Sequence, residues 1–207
     1  MSLCEHCIKG VIHEGTPKGK LEKIGGVDSY IATPTGDYPR TRTDSFAENG
    51  YKTIVPDYLN DDAIPVDALN PGSTFDLQAW VAKHGAENTR PPLDKVIAAL
   101  KEEGVTTFGA TGYCFGASVV AHPSLLKVPE DLEKYLATSK APLLINSCEV
   151  DTQYPPEAQK AGDEILSKFE IGYKGTTMMD ARMASLFIKE GKEGAFKESI
   201  EWFKARL

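Results

Sequence analysis

The chain has few cysteines, 4 in 207 residues, and their irregular spacing is not that of a disulfide framework. This excludes a small secreted domain stabilised by cross-links, and we expect free thiols. Cys4 and Cys7 form the pattern of half a zinc site, with His6 or His13 as further candidate ligands. A second cysteine pair at matching spacing is missing, so we expect no bound metal.

Long apolar runs and an excess of basic residues are also lacking. No run approaches the length of a membrane span, and the first residues lack the basic and apolar regions of a signal peptide. Acidic residues outnumber basic ones by 30 to 23, a net charge of -7, so nucleic acid and membrane surfaces are not the expected partners. We expect a cytoplasmic protein that acts on small molecules, and we favour a monomer.

The order of the apolar patterns predicts one α/β domain over residues 1–207. With 41% hydrophobic residues the chain can bury one sizeable core, and no linker-like stretch interrupts it. The opening predicts antiparallel strands, and strands then alternate with helices, as in a mostly parallel central sheet flanked by helices. The predicted strands are 9–13, 20–24, 28–32, 51–55, the first half of 105–117, and 142–147. The predicted helices are 44–50, 75–84, 92–103, 129–136, 155–169 and 192–207.

At least one strand is missing from this pattern. A right-handed crossover needs an apolar strand before the helix at 44–50, yet residues 34–43 are polar and rich in turn residues. A second irregularity follows Cys114, because residues 115–123 are too few for both a helix and a return strand. The sequence therefore predicts a fold with internal segments removed.

The segment Gly112-Tyr-Cys-Phe-Gly116 is the thiol form of a nucleophile elbow, in which a strand turns sharply into a helix. Glycine on both sides permits that turn. It would leave the sulfur of Cys114 at the carboxyl edge of a sheet and on a helix amino terminus, which favours the thiolate. The backbone N–H of Phe115 would then stabilise a developing oxyanion. The alternative is a buried, inert thiol.

A candidate acid follows the apolar strand predicted at 142–147. Asp151 comes shortly after the end of that strand, and the order nucleophile then acid along the chain matches the α/β-hydrolase architecture. The alternative role for Asp151 is to cap the next helix.

Four blocks, 54–59, 112–117, 121–124 and 145–151, together resemble the dienelactone hydrolase family (carboxymethylenebutenolidases), particularly its fungal branch. The resemblance covers most of the chain. It implies an α/β-hydrolase fold and a Cys, Asp, His triad that acts on a small-molecule ester or lactone, with no metal or organic cofactor. Cys114 would be the nucleophile, and Asp151 would orient a histidine.

The chain departs from the family pattern in three places. The family has its triad histidine before the last helix, where residues 172–187 of this chain contain none. Near Thr43 the family has an additional apolar strand and a loop that supplies a second oxyanion N–H. Directly after the residue that matches Ala117, it has an arginine and a helix. The resemblance therefore predicts a hydrolase with impaired activity.

His122 is the best of four candidates for the missing base, because Ala121-His-Pro123 resembles a family segment at a strand end near the site. Its alternative is a capping or hydrogen-bonding role. The rival to an active hydrolase is a truncated or spliced family member without catalysis, which would at most bind small molecules or partners.

Overall fold

The computed structural model describes residues 19–34, 42–65, 67–68, 70, 72–113, 119–121, 123, 126–149, 151, 154–178 and 184–207. They fall into two compact units, with the boundary between Thr106 and Thr107. Each unit has its own sheet. The prediction of a single domain stays a prediction.

The first unit contains an antiparallel sheet of three strands in the order β1-β2-β3. Its strands are β1 (Lys20–Ile24), β2 (Val27–Ala32) and β3 (Thr53–Pro56), and its helices are α1 (Arg42–Glu48), α2 (Leu77–Lys83) and α3 (Ala86–Glu102). The predicted antiparallel strands at 20–24 and 28–32 are confirmed and form a hairpin, whereas the strand predicted at 9–13 lies outside the described residues. The turn of this hairpin is Gly25-Gly26, in which both residues have positive φ, the conformation that favours glycine.

One face of this sheet packs on α3. Ile24 and Ile31 of the hairpin are buried against Val96 and Leu100, which lie one turn apart on the helix. A Cβ atom at Gly25 would lie 2.5 Å from the carbonyl oxygen of Lys95. The turn therefore approaches the backbone of α3 too closely for any side chain at that position.

Helix α3 begins earlier than the predicted start at residue 92. Pro91 and Pro92 lie in its second turn, although proline inside a helix removes a hydrogen bond to the preceding turn. The helix starts from Gly85, whose carbonyl accepts a bond from Thr89 N at 3.1 Å. The carbonyl of Asn88, which Pro92 cannot bond, accepts from Asn60 Nδ2 at 3.4 Å. The side-chain amide of Asn60, which is distant in sequence, thus replaces the hydrogen bond that Pro92 cannot donate.

The second unit contains a parallel sheet of four strands in the order β4-β5-β6-β7, which confirms the α/β prediction. Its strands are β4 (Thr111–Tyr113), β5 (Val119–Ala121), β6 (Leu143–Cys148) and β7 (Tyr173–Met178), and its helices are α4 (Glu130–Thr138), α5 (Pro156–Leu166) and α6 (Ala184–Lys204). The core on one side of β6 is a buried cluster of large side chains. Its members are Leu132, Leu143, Ile145, Tyr154 and Leu166.

Two parts of the strand prediction fail. Residues 105–110 form no strand, and Phe108 is 40% exposed. A buried strand needs neighbours on both sides, and no described strand pairs with 105–110. Strand β7 was not predicted, because its sequence Tyr-Lys-Gly-Thr-Thr-Met has little apolar alternation.

Alkaline pH is expected to destabilise the second unit through Tyr154. Burial, and then the charge of Asp163, raises the pKa of this phenol to about 12, whereas an unfolded tyrosine titrates near 10. The folded state therefore keeps its full stability below about pH 10 and loses on the order of 2 kcal/mol between about pH 10 and 12, as the unfolded phenol ionises. Urea unfolding at pH 8 and 11.5 measures the loss. Tyr154→Phe should lose less between these two pH values, and an equal loss in both proteins would contradict the assignment.

Candidate functional site

Cys114, Phe115 and His122 lie outside the described residues, but the strands that lead to them are described. Tyr113, the last residue of β4, is the register partner of Ala121, the last residue of β5. Cys114 follows the first of these in sequence and His122 follows the second. The carboxyl ends of parallel neighbouring strands meet at one edge of a sheet. Both strands therefore end at the same edge of the sheet, and each ends one residue before a predicted catalytic residue.

The connection between these two strands is short. Five residues, 114–118, separate β4 from β5, and this is less than two turns of helix. The return strand β5 is described, whereas residues 114–118 lie outside the described residues. The contribution of a helix dipole to the Cys114 thiolate therefore stays a prediction, as does the turn predicted from the Gly112, Cys114, Gly116 spacing.

Asp151 lies just beyond β6, the next strand in the sheet. Its side chain is 4% exposed, and Oδ1 accepts a hydrogen bond from the backbone N–H of Tyr154 at 3.0 Å. The proposed capping role is wrong, because α5 has Pro155 as its N-cap residue and no side-chain capping bond. The structure thus has a buried carboxylate just beyond the carboxyl end of a strand, and its role as the acid of a triad stays a prediction.

The loop that carries Asp151 is tied at both ends by one side chain. Gln159 on α5 donates from Nε2 to the carbonyl of Cys148 at 2.9 Å and to that of Tyr154 at 2.9 Å. Both amide hydrogens are thereby used. Sequence reasoning missed this residue. Gln159 lies three residues before Gly162 and seven residues before Leu166, both of which are buried. This spacing places a polar side chain on the buried face of the helix, and it is the sequence pattern that could have identified Gln159.

His84 has a structural role in the first unit. It is 8% exposed, stacks on Trp80 with ring centroids 4.0 Å apart, and donates from Nδ1 to the Trp80 carbonyl at 2.7 Å. Its Nε2 lies 3.5 Å from Oδ2 of Asp62, whose carbonyl accepts from Trp80 Nε1 at 2.9 Å. These contacts hold the loop that precedes α2 against that helix. They involve both ring nitrogens of His84.

Metal and membrane sites are not found in the described part of the chain. No group of three or more His, Cys, Asp or Glu residues there could hold a metal ion, and the Cys4, His6, Cys7, His13 pattern lies outside it. Of the helices described, none has the length and apolar character needed to cross a bilayer. A groove of 390 Å³ in the first unit is lined by Leu21, Tyr30 and Val55 among others, and Asp151 is not among its described lining residues.

Comparison with known proteins identifies similar sequences over most of the chain. A sequence profile described as the dienelactone hydrolase family matches residues 35–205. The hydrolase pyvD of Aspergillus violaceofuscus is 26% identical over 237 residues, which cover 97% of this chain and 96% of the relative. Dienlactone hydrolase 1 of Gibberella moniliformis is 28% identical over 246 residues, covering 95% and 91%.

A mammalian relative matches a smaller part. The carboxymethylenebutenolidase homolog of Mus musculus is 34% identical over 95 residues, which cover 44% of this chain and 37% of the relative. No solved structure matches the chain significantly.

The fungal matches extend over more positions than this chain contains. The match to the Aspergillus protein covers 237 positions against 207 residues here, so at least 30 positions, the difference between the two, have no counterpart in this chain. This agrees with the prediction that internal segments of the family fold are missing.

Proposed function

The chain belongs to the dienelactone hydrolase family, and on this premise we propose that it hydrolyses ester or lactone bonds of small molecules through Cys114, with Asp151 and His122 completing the catalytic group. His122 takes the place of the histidine that residues 172–187 lack. In this chain the general base would lie at the end of a strand beside the nucleophile, whereas the family has it in the segment before the last helix.

The register of β4 and β5 carries this proposal. Tyr113 and Ala121 are paired across the two strands, and neighbouring strands lie about 4.8 Å apart. If each strand continues by one residue, Cys114 and His122 come within reach of a thiol to imidazole hydrogen bond. The pairing supports His122 over the other three histidines, since His84 is occupied by Trp80 and Asp62.

Asp151 supplies the third role. Strand β6 pairs with β5 on the side away from β4, so its carboxyl end reaches the same edge next to the segment that leads to His122. A buried carboxylate there would accept a bond from one imidazole nitrogen and leave the other facing the thiol. It would also favour the protonated imidazole that forms when the thiol ionises.

The reaction proceeds in two steps. His122 takes the proton of Cys114, the thiolate attacks the ester or lactone carbonyl, and the tetrahedral oxyanion is held by backbone N–H groups that include Phe115. The carbon to oxygen bond breaks, the leaving oxygen takes the proton from the imidazolium, and a thioester remains. His122 then deprotonates water, which attacks the thioester and releases the carboxylic acid and the free thiol.

Turnover of p-nitrophenyl acetate and of a dienelactone tests the proposal. An active hydrolase releases many equivalents of product per chain, and mass spectrometry of the quenched reaction finds an acyl group on the peptide that contains Cys114. The second candidate function, a family member without turnover, is favoured by the missing 30 or more positions. It would give a single stoichiometric burst or no reaction.

Replacing His122 with alanine is expected to lower kcat by about 10²-fold, the usual contribution of positioned proton transfer. The acid limb of the pH profile of kcat should disappear with it. His13→Ala serves as the matched control and should leave both unchanged. Full activity in the His122 variant would place the base elsewhere.

A further inference from the structure

We propose that Gln159 is a positioning residue for the Asp151 carboxylate, an inference that rests on the proposed function. Asp151 lies within the short connection between the end of β6 and the start of α5. A catalytic carboxylate has to be held in a defined position, and side chains outside the connection can supply part of that hold.

The amide of Gln159 provides that hold. Its two donated bonds join the carbonyl of Cys148, the last residue of β6, to the carbonyl of Tyr154, just before α5. Cys148 lies three positions before Asp151 in the chain, and Tyr154 lies three positions after it. The side chain therefore fixes the distance between the two ends of the segment with Asp151 at its centre.

The Tyr154 end is fixed a second time, by packing. The Tyr154 ring is 1% exposed within the core of Leu132, Leu143, Ile145 and Leu166. Its backbone N–H is the group that donates to Asp151 Oδ1. A chain of contacts thus runs from the helix amide through the Tyr154 backbone to the carboxylate.

A variant that removes both amide donors of Gln159 without changing the shape of the side chain tests this role. Gln159→Glu keeps the length of the side chain, but a carboxylate donates to neither carbonyl. We expect kcat for p-nitrophenyl acetate to fall at least about 10-fold at unchanged KM, because a displacement of a catalytic group by about 1 Å can lower the rate by about 100-fold. Gln159→Leu, which lacks donors and charge, should give the same loss. Lys160→Ala, an exposed neighbour on the same helix, is the control and should show no loss.

A double-mutant cycle with Asp151→Asn separates positioning from general stabilisation. If Gln159 acts through Asp151, Gln159→Glu lowers kcat no further in the Asp151→Asn background. The same fold loss in both backgrounds, or a loss confined to KM, overturns the proposal.

Hydrogen exchange of the backbone amides tests the positioning role of Gln159 independently of catalysis. The Tyr154 N–H, which is bonded to Asp151, should exchange at least about 10-fold faster in Gln159→Glu than in wild type or Lys160→Ala, while the amides of β6 stay unchanged. If wild type shows no turnover, the proposed function fails, and this measurement still tests the hold on the loop. An unchanged Tyr154 exchange rate overturns it.

Discussion

Replacing Cys114 with alanine is expected to abolish turnover of an activated ester, with kcat falling at least about 10³-fold, to the level of the solution reaction. In the proposed mechanism the thiol of Cys114 is the group that forms the thioester, so its removal leaves no covalent route. The measurement is steady-state release of p-nitrophenol, together with loss of the acylated peptide in the mass spectrum. Cys114→Ser should retain little activity, because a hydroxyl ionises far less readily than a thiol.

The matched control is the other cysteine near the site. Cys148 is partly buried at the end of β6, three residues before Asp151. Its backbone carbonyl takes part in the contact with Gln159, whereas its thiol has no part in the proposed chemistry. Cys148→Ala should therefore keep turnover within about twofold of wild type. If Cys148→Ala is inactive and Cys114→Ala is active, the nucleophile has been misassigned.

Truncating Tyr154 to alanine is expected to destabilise the second unit by about 3–5 kcal/mol, the usual range for removal of a large buried aromatic side chain. The ring is 1% exposed, and its hydroxyl lies against Gly162, where a Cβ would come within 2.3 Å of it. This close fit leaves a large cavity when the ring is removed. Because domains have about 5–15 kcal/mol in total, this loss would remove a large part of the stability of the second unit.

Urea unfolding followed by circular dichroism measures this loss. Phe108→Ala removes an aromatic ring that is 40% exposed and should change stability by less than about 1 kcal/mol. Tyr154→Phe keeps the ring and should retain most of the stability at neutral pH. Similar losses for Tyr154→Ala and Phe108→Ala would show that Tyr154 does not organise the core.

The elements that sequence predicts well are those whose contacts are local. The β1-β2 hairpin follows from two strand-like runs joined by Gly25-Gly26, and β6 follows from an apolar run that the structure buries from Leu143 to Ser147. The start of α3 is different, because it depends on an amide at Asn60, 28 residues from its acceptor. Residues 105–110 likewise needed a neighbouring strand that local pattern cannot supply.

The candidate site shows the same division. Cys114 and Asp151 could be predicted from a turn motif and a strand end, which are short-range features. The contact of Gln159 with Cys148 spans 11 residues and depends on how α5 lies against the end of β6. The register of Tyr113 with Ala121, which supports His122, exists only once β4 and β5 are aligned. Neither the contact of Gln159 nor the register of Tyr113 with Ala121 can be predicted from residues that are neighbours in the sequence.

The five-residue connection between β4 and β5 has a consequence for substrate choice. Five residues supply fewer backbone amides than a turn followed by a full helix would, so in the proposed mechanism less of the negative charge that develops on the carbonyl oxygen is stabilised by amide donors. Acylation then depends more on how weakly basic the departing alcohol is. We expect enol and aryl esters, whose oxygens leave as stabilised anions, to be consumed far faster than esters of simple alkyl alcohols.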